Sequence, residues 1–107
     1  MFETLQPAIV WQHFATLCQI PRPSKQEGAL RDHLVQWAQA RQLETLIDIA
    51  GNLIIRKPAS AGCEQTPGVV LQAHLDMVCQ KNSGSNHDFT RDPIHSVVED
   101  GWVKAPD

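Results

Sequence analysis

Apolar and polar positions recur along this chain in three rhythms, and each rhythm predicts a different element. From about Pro7 to Gln19, Val10, Trp11, Phe14, Leu17 and Cys18 return at three- and four-residue spacing, one face of a helix. Pro7 suits its first turn, and Pro21 and Pro23 end it. His13 falls at the edge of that stripe, where a solvent-facing or hydrogen-bonded role is expected. A second helix is announced by Ser24-Lys25-Gln26-Glu27, the S-x-x-E form of a capping box, with Ser24 as N-cap and Glu27 reaching back. Leu30, Leu34, Trp37 and Ala38 then repeat at helical spacing toward an end near Arg41. His33 and Trp37 read as packing or surface residues. Gln42 stands where a left-handed helix exit favours glycine.

The second rhythm has a period of two. Leu43, Thr45, Ile47 and Ile49 alternate with their neighbours, Ala50-Gly51-Asn52 signals a turn, and Leu53-Ile54-Ile55 begins a return strand. Residues Ala59 to Gly68 are loop. The third rhythm is an unbroken apolar run, Val69-Val70-Leu71, which suits a strand buried on both faces and predicts a central strand over Val69–Ala73. Lys81 to Asn86 is polar and turn-rich. His87 and Asp88 fit local turn chemistry, and His95 has no partner pattern. Val97-Val98 and Trp102-Val103 flank Asp100-Gly101, a hairpin signature. The sum is an α/β chain, two N-terminal helices packed on a mixed β-sheet.

Composition narrows the classes. The 107 residues are 42% hydrophobic and 20% charged, values of a folded domain with a modest core. Nine Lys and Arg against 12 Asp and Glu give a net charge of -3, which offers no basic footprint for nucleic acid and no polybasic patch for a membrane surface. Met1-Phe2-Glu3 lacks the basic start and apolar stretch of a signal peptide, and the expected location is cytoplasmic. Cys18, Cys63 and Cys79 are odd in number and widely spaced, which predicts free thiols rather than a disulfide framework or a structural metal site.

The chemistry concentrates where the apolar run turns polar. His74 and Asp76 stand two apart, so on a strand both point the same way. The end of a central strand is the usual place for a ligand in an open α/β sheet. A neutral imidazole binds zinc through one nitrogen and needs an acceptor at the other to fix its tautomer, and a nearby carboxylate can supply it. Spacing alone leaves open a hydrogen-bonded structural histidine, because one ligand does not make a site.

The wording around this pair is more specific. VVLQAHLDMVCQKN (Val69 to Asn82), HDFTRDPI (His87 to Ile94) and DGWVKA (Asp100 to Ala105) closely resemble the bacterial aminoacyl-histidine dipeptidases. These cytosolic enzymes, also called peptidase D or Xaa-His dipeptidases, belong to the two-zinc metallopeptidases with carnosinases and aminoacylases. The resemblance extends upstream through IPRPSKQE and GNLIIRKPASAG, so it covers nearly the whole chain as the beginning of a zinc-peptidase catalytic domain. It implies a metal-activated water attacking the peptide bond of an Xaa-His dipeptide, with zinc as cofactor. It implies His74 as a terminal ligand of one zinc and Asp76 as the catalytic-site carboxylate that orients the His74 ring. Where Cys79 stands, three residues past Asp76, the family usually has proline.

After a segment like DGWVKA the family continues into a glycine-rich stretch with the bridging aspartate, and the glutamate pair comes later. This sequence ends at Pro106-Asp107, and Asp107 is not embedded in that motif. The expectation is therefore a fragment, residues 1–107, that carries dipeptidase wording and is inactive alone. The alternative is a non-catalytic binding module that keeps the fold.

Overall fold

A computed structural model describes residues 2–106. Asp107, which is not embedded in the bridging-aspartate motif, lies outside the described residues. The chain divides into two compact units, Met1–Leu30 with Asp76–Asp107, and Arg31–Leu75. The α/β class holds: the described residues form two helices and two small antiparallel sheets. None of the helices is long and apolar enough to cross a membrane.

In the first unit, α1 spans Ala8–Cys18 with Pro7 as its N-cap residue, close to the predicted bounds. Its stripe is only partly covered. Cys18 is buried and Trp11 half-buried, whereas Val10 and Phe14 stay exposed. Phe2 covers part of it, packing on Trp11 and Phe14 with ring centroids 5.5 and 5.7 Å apart. The C-terminus of α1 is tied to a later segment. Ile94 donates its N–H to the Cys18 carbonyl at 2.8 Å, and the Cys18 sulfur lies 3.8 Å from the buried Ser96 hydroxyl. Strands β3 (Val97–Glu99) and β4 (Trp102–Lys104) pair antiparallel about Asp100 and Gly101. Those two turn residues both take positive φ, 51° and 78°, the conformation a two-residue hairpin turn of this hand requires.

α2, Gly28–Gln39, starts three residues later than a Ser24 N-cap allows. The Glu27 carboxylate takes the Lys25 N–H at 2.6 Å, and the Ser24 hydroxyl is engaged elsewhere. The helix buries Leu30 and Ala38. Its exit follows the expectation closely. Gln42 adopts φ 58°, its N–H donates to the Gln39 carbonyl at 2.9 Å, and Leu43 N–H reaches back to Ala38 at 3.0 Å. That pair of bonds satisfies the last carbonyls without a glycine. Arg41 lays its guanidinium 4.1 Å from the centre of the Trp37 ring.

In the second unit, β1 (Glu44–Ile47) and β2 (Leu53–Arg56) pair antiparallel, Glu44 opposite Arg56 through Ile47 opposite Leu53. The turn begins at Asp48 rather than Ala50, and Ile49, predicted as a strand position, sits fully exposed within it. Asp48 organises this turn. Its Oδ1 accepts the Ala50 and Asn52 N–H groups at 2.9 and 2.8 Å, and its Oδ2 accepts the Asn52 side-chain amide at 2.8 Å.

Two expectations are corrected. The single mixed sheet is instead two separate antiparallel pairs, and parallel pairing among the described residues is confined to one bridge, Pro23 to Met77. The central strand over Val69–Ala73 does not form. Val69, Val70 and Leu71 carry no ladder and are 83%, 90% and 92% exposed. The physical reason is non-local. A strand apolar on both faces needs neighbours at its edges and cover on each side, and the described residues put neither there.

Candidate functional site

The site is built around Asp76 by a proline-rich turn. Pro21 and Pro23 stop α1 from continuing, and Arg22 between them folds back. Its guanidinium donates to the Leu17 carbonyl and, at 3.3 Å, to that of Ile20. The Arg22 carbonyl in turn accepts the Met77 N–H at 2.9 Å, which draws residues 76–77 alongside the turn as the bridge from Pro23 to Met77. Lys25 adopts φ 70°, uncommon for a residue with a side chain, and Gln26 N–H closes on the Pro23 carbonyl at 2.8 Å. The outcome of this local folding is that the Ser24 hydroxyl donates to Oδ2 of the half-buried Asp76.

His74 belongs to the Arg31–Leu75 unit, where its side chain is exposed. Gln72 and Ala73 separate it from the exposed apolar run. The remaining candidates sort as local structure. Cys79 is exposed and turns its thiol to the Met77 carbonyl at 3.8 Å. Asp88 accepts both the N–H and the hydroxyl of Thr90, at 3.0 and 2.7 Å, while its own N–H donates to Asp92 at 2.8 Å. The Thr90 bonds hold the Asp88 carboxyl below its usual range, and the Arg91 guanidinium does the same for Asp92. These are turn-forming carboxylates. The His87 ring packs edge-on against Phe89 at 4.8 Å. Among the described residues, no group of three or more His, Cys, Asp or Glu is placed to hold a metal ion.

Comparison with known proteins gives a direct answer on kinship. No family model matches the chain. Over 101 residues, 94% of its length, it is 50% identical to the cytosol non-specific dipeptidase of Escherichia coli strain K12. Its fold superposes on the crystal structure of aminoacylhistidine dipeptidase from Vibrio alginolyticus with a TM-score of 0.94, at 48% identity and over 98% of the chain. The chain is homologous to the aminoacylhistidine dipeptidases. It spans about a fifth (21%) of the length of each of these two dipeptidases. The family read from the VVLQAHLDMVCQKN, HDFTRDPI and DGWVKA segments is thus a peptidase family in sequence and in fold.

Sequence reasoning missed Ser24 as a partner of this dipeptidase-like segment. S-x-x-E followed by an apolar period is a sound helix-start signal, but it is purely local. The acceptor it lacks, Asp76, lies 52 positions away in the chain. The signal that could have found it is the double proline, which already argues for a rigid turn before the helix.

Proposed function

We propose that this chain supplies one zinc ligand, His74, and its orienting carboxylate, Asp76, to a cytosolic metallo-dipeptidase that hydrolyses Xaa-His dipeptides. The observation that carries the reading is the 50% identity and 0.94 TM-score to dipeptidases over nearly every residue, the H-x-D segment included. The exposed His74 imidazole has the donor chemistry of a zinc ligand. The donor set stops there. A catalytic zinc takes about three protein ligands plus water. The described residues do not fit a complete metal site, and no hydrolytic step is assigned to them alone. When bound in a whole enzyme of this kind, zinc would supply an activated water and charge stabilisation. This chain's share is to present an imidazole and to hold a carboxylate in place for it.

The 107-residue polypeptide therefore does not turn over dipeptide unaided. Incubated with excess zinc or manganese and an Xaa-His dipeptide, the purified chain should release no more free histidine than the metal-only blank. Turnover that disappears in His74→Ala would overturn this and show that the donors present suffice.

A further inference from the structure

We propose that Ser24 is a positioning residue for Asp76, delivered by the Arg22–Glu27 turn to hold that carboxylate in one orientation. An aspartate side chain rotates about two bonds, and a half-buried carboxylate needs a fixed donor to stay in one state. A hydroxyl facing an anion must donate, and such charge-assisted bonds are the stronger kind. Serine supplies this without a charge of its own, so the carboxylate keeps its full negative charge for a second partner.

The placement is built rather than incidental. Arg22 anchors the turn to the end of α1, its carbonyl receives Met77 N–H, and Glu27 closes the loop through Lys25 N–H at 2.6 Å. Lys25 holds a left-handed φ of 70° in the process. A serine serving as the α2 cap would accept an N–H. Here it donates to Asp76 instead, and the helix starts later. The inference rests on the proposed role of Asp76 only for its consequence at His74.

Three-bond NMR couplings of Asp76 in the 107-residue chain test it. The natural sequence should show one side-chain rotamer, Ser24→Ala should average among rotamers, and Ser24→Thr, which keeps the hydroxyl, should restore one. In the unmodified chain the Ser24 hydroxyl proton should exchange with water about tenfold more slowly than that of exposed Ser83, the factor a hydrogen bond to a charged group is worth. A single Asp76 rotamer surviving in Ser24→Ala overturns the proposal. So does a Ser24 hydroxyl exchanging as fast as Ser83, a measurement that needs no variant and decides even where Ser24→Ala does not fold. The ring nitrogen signals of His74, recorded on the same samples, separate the two readings. Should Asp76 loosen while those signals stay fixed, Ser24 still positions Asp76, and the assignment of Asp76 to the His74 ring falls.

Discussion

The β1–β2 hairpin and the Val69–Leu71 run lie in the same compact unit and draw on the same residue types, yet only one of them forms a strand pair. Each hairpin residue finds its partner within twelve positions, from Ile47 opposite Leu53 to Glu44 opposite Arg56, and Asp48 and Gly51 close that turn from within. Loop-closure entropy is small for so short a connection, so local hydrogen bonds outweigh it. The run has β-forming residues of the same kind, but its potential neighbours are not supplied locally. It stays 83–92% exposed. Propensity decides what a segment could become, and pairing decides whether it does.

The comparison breaks most readily at Gly51. Its φ of 87° lies in the left-handed region, and an added Cβ would come within 2.9 Å of a nitrogen of the Arg31 guanidinium. The side-chain end of Arg31 can move aside, so the backbone term decides. Gly51→Ala should destabilise the hairpin by about 1–2 kcal/mol, the cost of a left-handed L-residue. Amide exchange of Leu46 and Ile54 reads it, and unchanged protection would show that the turn does not govern the pair.

A smaller effect comes from acid. Hydrogen bonds from the Asn52 side chain first, then from the Asn52 backbone, hold the Asp48 carboxyl below its ordinary 3.8. A carboxyl depressed by folding stabilises above its unfolded value and loses that contribution as pH falls through the folded one. The hairpin should therefore loosen only below about pH 3.8. Exchange at Ala50 and Asn52 isolates this from the carboxylates at 88 and 92, and Asp48→Asn should flatten the pH profile there.

The smallest change is expected at Val70. At 90% exposure it contributes no burial, and surface substitutions of this kind stay within about 0.5 kcal/mol. Val70→Lys should leave the thermal midpoint unmoved while lowering light scattering at high concentration, because a charge opposes edge pairing. A clear loss of stability would mean that the run is covered in solution by another copy.

What could be read from the sequence follows the same division between near and far. The Asp100-Gly101 hairpin, the α1 bounds and the left-handed position at Gln42 each depend on a handful of adjacent residues, and each was legible. The alternation from Leu43 onward was legible too, except at Ile49, where the Asp48 carboxylate captures the turn two residues early. Ser24 and Val69–Ala73 failed for one shared reason. Their state depends on pairing with groups that are distant in the chain, and periodicity is silent on those. The H-x-D pair was conspicuous as a pattern, but the donor that holds Asp76 was not.

The seating of Cys18 against Ser96 and the Ile94 backbone has a consequence in time rather than in space. Cys63 and Cys79 are open to solvent, while Cys18 is shut in where the end of α1 meets the segment before β3. A thiol reagent thus meets two populations, one consumed at the rate of simple collision and one released only when that junction opens. The slow fraction is a clock. It counts spontaneous departures of residues 94–96 from the helix end in a folded chain, with no label to introduce.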